Sequence, residues 1–292
     1  MSLVTRQIGP CFAAEADGLD LTRPLSATDV AAIHAAMDVH AVLVFHDQKL
    51  TDEQQMAFTL NFGTLEDARG GNITKDEDRR LAVGMNDVSN LDKNGIPLDR
   101  ESRQRWFNLG NMLWHSDSSF RAIPAKFSLL SARIVNPVGG NTEYADMRAA
   151  YDALDEATKT LTENLVCEHS LMYSRGSLGM LEYSEEERAM FRPVRQRLVR
   201  THPATGRKSL YLSSHAGAIV GMPMAEARIL LRDLTEHATQ PQFVYVHRWR
   251  QWDFVMWDNR RTMHRVRRYD DAQPRDMRRT TLRGEAQTVA QV

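Results

Sequence analysis

Apolar positions in the first third of the chain change period several times, and each change marks an expected element. Ala31, Ala32, Ile33, Ala35, Ala36 and Met37 recur at helical spacing behind two candidate caps, Ser26 and Thr28, so a helix is expected there. Directly after it, Ala41-Val42-Leu43-Val44-Phe45 is an unbroken apolar run of strand length, suited to a strand buried on both faces. Thr51 with Gln54 three residues later is the signature of a capping box, predicting a second helix through Met56, Phe58 and Leu60 that stops at Gly63. From Leu65 to Asn111 the periodicity fades. Gly70-Gly71, Asn72, the charged run from Lys75 to Arg80 and Asn94-Gly95 describe a long loop, of the kind that forms lids and binding surfaces.

Beyond residue 120 strand patterns dominate, at 127–135, 141–145, 165–173, 197–201, 243–249, 254–257, 263–268 and 277–283. Two helices interrupt them, at 155–164 and at 224–238, where Ala227, Leu230, Leu231 and Leu234 make one stripe. Many short strands without regular βαβ alternation, internal repeat or composition break predict one domain over 1–292. The expected fold is mainly β: a sandwich or barrel of jelly-roll type with flanking helices and a long loop at 65–111 of the lid or binding kind.

Charge narrows the function classes. Thirty-seven basic against 38 acidic residues give a net charge of −1, without the global field of a dedicated polyanion binder. Basic charge is local: residues 248–283 hold eleven Arg and no Lys. Most of these suit a solvated strand face paired with Asp270, Asp271 and Asp276, and no interleaved aromatic platform supports nucleic-acid binding. Cys11 and Cys167 are too few for a disulfide framework, which points to a reducing cytoplasm. Neither a signal-peptide core near Met1 nor an apolar run of about 18 residues is present, so no membrane association is expected.

The stretch with most chemistry is Asn111-Met112-Leu113-Trp114-His115-Ser116-Asp117-Ser118-Ser119-Phe120. In an extended segment residues i and i+2 face one side, so His115 and Asp117 can offer an imidazole nitrogen and a carboxylate oxygen to one point. A third ligand must come from elsewhere, and His264 stands between two expected strands. Two His and one carboxylate on a β scaffold make the facial triad that leaves three positions of octahedral Fe(II) open. By itself His-x-Asp is a weak signal, because 10 His and 38 acidic residues produce such pairs by chance on surface strands. A zinc hydrolase uses similar ligands, and a non-enzymatic jelly-roll binding protein would carry the same residues as structure.

Further motifs extend the pattern: Gly139-Gly140-Asn141-Thr142 with Ala145-Asp146-Met147, Trp257-Asp258-Asn259 leading to His264, and then Arg275 and Arg279. In their order the sequence resembles the family of Fe(II)- and 2-oxoglutarate-dependent dioxygenases that includes taurine dioxygenase and 2,4-dichlorophenoxyacetate dioxygenase. Leu109-Gly110-Asn111 looks most like the phenoxyalkanoate-herbicide branch.

The resemblance implies Fe(II) held by His115, Asp117 and His264, with 2-oxoglutarate and O2 as cosubstrates. It implies that Arg275 and Thr142 bind the far carboxylate of 2-oxoglutarate, for which a planar guanidinium is suited. Arg279, on the same side of a strand as Arg275, would meet the anionic head of the substrate. Asn111 is implied near the substrate, His215 is a lesser candidate for a polar contact, and Ile73 and Lys75 belong to the covering loop. His169, His202 and His237 are read as structural. The implied reaction hydroxylates an anionic aromatic substrate, an aryloxyalkanoate, giving a phenol and glyoxylate with succinate and CO2; a sulfonate or alkyl sulfate is the alternative. A cytoplasmic homo-oligomer completes the expectation.

Overall fold

A computed structural model describes residues 2–68 and 73–291. The chain opens with the hairpin β1 (Val4–Gln7) and β2 (Ala14–Asp17), then α1 (Ala27–His40) and β3 (Val42–Phe45). There follow α2 (Asp52–Leu60), β4 (Met85–Asp87), α3 (Arg103–Asn108), the long β5 (Ala125–Ile134) and β6 (Thr142–Asp146). The middle holds α4 (Met147–Asp152), α5 (Glu156–Thr162), β7 (Val166–His169), α6 (Leu171–Gly176), α7 (Glu185–Met190), β8 (Val194–Arg197) and β9 (Val199–Thr201). Last come β10 (Lys208–Leu210), β11 (Ala216–Ile219), α8 (Met224–Ala238), β12 (Val244–His247), β13 (Phe254–Asp258), β14 (Thr262–Val266) and β15 (Asp276–Arg283).

Local chemistry explains the early elements. Ser26, not Thr28, caps α1, exchanging hydrogen bonds with Asp29 in a capping box. Thr51 and Gln54 do the same for α2.

A seven-stranded sheet in the order β1-β2-β3-β13-β5-β15-β4 is the backbone of the molecule, antiparallel except where β2 meets β3. Side chains alternate across it. Leu43, Phe45, Leu129, Phe254 and Met256 pack against α1 and α2 through Ile33, Met37 and Phe58. Val42, Val44, Leu130, Val255, Trp257 and Met277 point the other way and meet Tyr144 of a second sheet, β12-β6-β14. Both faces of the central strands are therefore covered, which is why 41–45 is apolar without alternation. A third cluster joins β6, β7, β10, β11 and β14 to α4 and α8 through residues such as Cys167, Leu210, Leu231 and Met263.

The architecture is mainly sheet, as expected, with helix at 28% and strand at 27% of the chain. Several finer expectations need correction. The 65–111 segment is not simply a loop: β4 pairs with β15 at the sheet edge, and α3 follows. Its Gly70-Gly71-Asn72 stretch lies outside the described residues. The 165–173 strand ends at His169, where the Ser170 hydroxyl caps α6. The 197–201 strand divides at Leu198 into β8 and β9. Among the described residues no helix is long and apolar enough to cross a membrane. Both cysteines are free thiols.

Candidate metal centre and cavity

Main-chain pairing, not sequence proximity, joins the two imidazoles. His115 N donates to His264 O (3.0 Å) and His264 N donates to His115 O (2.8 Å), an isolated antiparallel bridge beside β14. Side chains directly opposite in such a pair emerge on one side, and the ring centroids lie 4.2 Å apart. Asp117 returns its side chain to the same place: Oδ1 is 3.9 Å from His115 Nε2, and Oδ2 is 3.8 Å from His264 Nε2. One donor atom from each residue lies within 4.8 Å of the others, and all three residues are buried.

Protonation follows from the surroundings. His115 Nδ1 is 2.7 Å from the Leu113 carbonyl. A carbonyl only accepts, so Nδ1 carries the proton and Nε2 keeps its lone pair toward the carboxylate. Burial pushes His115 below the usual histidine range, against the pull of Asp117. Burial and then the neighbouring His115 push His264 further down. Burial alone would raise the Asp117 carboxyl, but the Arg279 guanidinium, helped by the Ser128 hydroxyl, outweighs it and holds it below the carboxylate range. Two neutral imidazoles and one carboxylate are the states a divalent cation needs, and this donor set fits Fe(II) with three positions left open.

The carboxylate is fixed from behind. Ser128 Oγ donates to Asp117 Oδ2 (2.8 Å) and accepts from Asn259 Nδ2 (2.9 Å). Asn259 Oδ1 accepts from both Asp117 N (3.1 Å) and Trp257 Nε1 (3.0 Å). Arg279 Nη1 donates to Oδ1 (2.5 Å). Outer partners of this type orient metal ligands.

His115 and His264 face a cavity between the two sheets whose wall also includes Asn111, Thr142, Arg275 and Arg279. The remainder is largely apolar, with Val88, Leu98, Leu109, Met112, Leu130, Val266 and Met277. Arg275 Nη2 donates to the Gly140 carbonyl (3.0 Å), and its guanidinium carbon is 5.1 Å from the centre of the Tyr269 ring. It is only 4% exposed and has no carboxylate partner among the described residues. Burial lowers its pKa, with Tyr269 partly offsetting this. A buried guanidinium lacking a counter-ion is a receptor for an anion. Gly140 sits at φ 69°, a conformation that favours glycine, and a Cβ there would lie 2.6 Å from Arg275 Nη1 and push the guanidinium aside. Thr142 Oγ1 accepts from Trp249 Nε1 (2.9 Å), which leaves its own proton free to donate.

Other candidates fall elsewhere. His215 stands beside His115 (ring centroids 6.0 Å apart) with Nδ1 2.9 Å from Ser174 Oγ, and it is not part of the cavity wall. Ile73 and Lys75 are not brought to that cavity either. Their segment runs past α3, where Ile73 joins the Phe107–Leu171–Phe191 cluster and both residues line a separate depression with Arg103. Sequence reasoning missed Ser128, Trp249, Tyr269 and the Arg105–Asp271 ion pair in the cavity wall. None belongs to a motif; only Asn259 carried a signal, as the third residue of Trp257-Asp258-Asn259.

Comparison with known proteins agrees with this geometry. Residues 5–281 match the model for the taurine catabolism dioxygenase TauD, TfdA family. The chain is 46% identical to an alpha-ketoglutarate-dependent 2,4-dichlorophenoxyacetate dioxygenase of Cupriavidus pinatubonensis, covering 98% of this chain and 99% of the relative. It is 38% identical to an (S)-phenoxypropionate/alpha-ketoglutarate-dioxygenase of Delftia acidovorans, covering 96% and 94%. A crystal structure of AAD-2 in complex with Mn(II) and N-oxalylglycine superposes with a TM-score of 0.97 at 67% identity, covering 99% of this chain and all of that one. With residues 5–281 matching the family model and relatives 46% and 38% identical over nearly the whole chain, the chain belongs to the TauD, TfdA family of dioxygenases.

Proposed function

We propose that this chain is an Fe(II)- and 2-oxoglutarate-dependent dioxygenase that hydroxylates an aryloxyalkanoate such as 2,4-dichlorophenoxyacetate. One observation carries the reading: the two imidazoles, with the Asp117 carboxylate 3.9 and 3.8 Å from them, border a cavity whose wall presents Arg275 and Arg279 and, apart from the Arg105–Asp271 ion pair and a few amide and hydroxyl groups, is largely apolar. His115, Asp117 and His264 would hold the iron. When bound, iron with 2-oxoglutarate and O2 supplies the oxidation of a substrate C–H bond, coupled to decarboxylation of 2-oxoglutarate to succinate and CO2.

The protein's part is aim and exclusion of water. Arg275, freed of other anions and braced by Gly140 and Tyr269, offers its fork to the far carboxylate of 2-oxoglutarate, and the Thr142 hydroxyl donates to it. Arg279 faces the same space and pairs with the carboxylate of the aryloxy acid. Leu98, Leu109, Met112 and Leu130 take the ring. Hydroxylation at the carbon between ether oxygen and carboxylate yields a hemiacetal, which collapses to a phenol and glyoxylate. Asn111 serves as a polar substrate contact, and the 65–111 segment as part of the cover through Val88, Leu98 and Leu109. His215, Ile73 and Lys75 have no such support.

The facing sheets support a double-stranded β-helix core within one domain over 1–292, and the unpaired cysteines support a cytoplasmic setting. A homo-oligomer remains part of the proposal. Sulfonates and alkyl sulfates present a similar head to Arg279, but the apolar wall favours an aryl acid. Family membership argues against a zinc hydrolase. The test is a panel of aryloxyacetates, 2-aryloxypropionates, taurine and alkyl sulfates with Fe(II), 2-oxoglutarate and O2, scored by succinate and, for aryl members, phenol. The reading expects phenol and succinate in equal amounts from aryloxy acids; succinate coupled only to a sulfonate or sulfate would replace it.

A further inference from the structure

Ser118, the residue after the carboxylate ligand, has a positive φ of 52°. A side chain with a Cβ disfavours that left-handed region, and such outliers persist where surrounding contacts impose them. Here the contact is visible. The buried Ser118 hydroxyl donates to Glu66 Oε2 (2.7 Å). Glu66 is itself buried, and its other oxygen lies 2.7 Å from Arg121 Nε, close enough for an ion pair though not aligned as a hydrogen bond. Arg121 is tied back twice, its Nη2 donating to the Asp67 carbonyl (2.8 Å) and its main-chain N to the Ser118 carbonyl (2.9 Å). Glu66 in turn is mounted on β15, the strand that carries Arg279, through Glu66 N to Thr281 O (2.8 Å).

We propose that Glu66 is a positioning residue for the metal-ligating carboxylate: by holding the Ser118 hydroxyl it keeps the backbone after Asp117 left-handed and so fixes the direction from which Asp117 meets the two imidazoles. The inference rests on His115, Asp117 and His264 being the metal ligands. Glu66 touches neither metal nor substrate; it acts through the turn 118–121. It also gives that turn and the substrate-binding arginine a common anchor on β15.

Two substitutions at one position separate backbone aim from loss of a contact. Ser118→Ala and Ser118→Gly both remove the hydroxyl and leave Glu66 with the same lost partner, but only glycine adopts φ 52° freely. The assay is Mn(II) affinity of the full-length metal-free protein, read as free Mn(II) by electron paramagnetic resonance, with circular dichroism to confirm folding. Ser118→Ala is expected to weaken Mn(II) binding by roughly tenfold or more, within the range for lost outer partners of metal ligands. Ser118→Gly should bind within about threefold of the parent, because the backbone penalty that the hydroxyl offset is gone. Glu66→Gln, whose amide oxygen can still accept from Ser118, should fall nearer the parent than Glu66→Ala. Glycine binding Mn(II) no better than alanine, in a parent whose binding is lost on Asp117→Ala, would overturn the proposal alone. A parent that binds no Mn(II), or binds it unchanged after Asp117→Ala, would overturn the ligand assignment and this proposal together.

Discussion

Replacing Arg275 by alanine removes a cation that is buried to 4% exposure, has no carboxylate partner among the described residues, and is aimed by the Gly140 carbonyl and the Tyr269 ring. One of its N–H groups is spent on Gly140, and the rest of the fork is available to the far carboxylate of 2-oxoglutarate. A hydrogen bond to a charged group contributes roughly 1.5–3 kcal/mol, and about 1.4 kcal/mol corresponds to tenfold. Arg275→Ala should therefore raise the 2-oxoglutarate requirement on the order of 10- to 100-fold. Arg275→Lys keeps the charge but not the fork, and should fall between. The assay is the initial rate of succinate formation against 2-oxoglutarate at saturating Fe(II) and aryloxy acid. The aryloxy acid requirement should move little, because Arg279 is untouched. An unchanged 2-oxoglutarate requirement, or an equal rise for both substrates, would refute the assignment.

Other substitutions probe other parts of the account. Asp117→Ala should abolish succinate formation, and normal turnover by that variant would remove it from the ligand set. Gly140→Ala, which places a Cβ 2.6 Å from Arg275 Nη1 at a φ of 69°, should raise the 2-oxoglutarate requirement while the aryloxy acid requirement is kept; parent behaviour would show that Arg275 is not braced there. Asp276, bound by Arg80 and Arg278, would be raised by burial but is held below the carboxylate range by those two guanidiniums. Its folded-state pKa is depressed, so its contribution is complete above the unfolded value of about 3.9 and is lost as pH falls through the folded value. Asp276→Asn should thus cost roughly 1.5–3 kcal/mol of unfolding free energy at pH 7, with the difference from the parent shrinking below about pH 3.9. A difference independent of pH in denaturant titrations would contradict this.

Much of the scaffold could be read from sequence because the deciding contacts are local. Ser26 with Asp29 and Thr51 with Gln54 are caps closed within one helical turn. Residues 41–45 announce a strand covered on both sides, and α8 keeps its stripe from Met224 to Ala238. His115 and Asp117 share a side through a spacing of two. The shared side of Arg275 and Arg279 follows from the same period, although a register shift falls between Asp276 and Met277. What escaped depends on partners distant in the chain. β4 is three residues long and exists because β15 offers it an edge. The α6 helix is six residues long, too short for a period to show before Ser170 turns the chain. Ser128 and Glu66 gain their roles only when folding brings Asp117 and Ser118 to them. The 65–111 segment reads from sequence as a loop, yet it contains β4 and α3, and the packing of Ile73 against the Phe107 cluster carries that end away from the cavity.

One iron shared by His115, Asp117 and His264 would carry the chemistry, and anaerobic absorption spectroscopy tests this most directly. Adding Fe(II) and then 2-oxoglutarate to the metal-free protein should produce a weak visible charge-transfer band that needs both additions. His264→Ala, folded as judged by circular dichroism, should lack it. A band that persists in that variant, or a parent protein that gives none, would contradict the central claim.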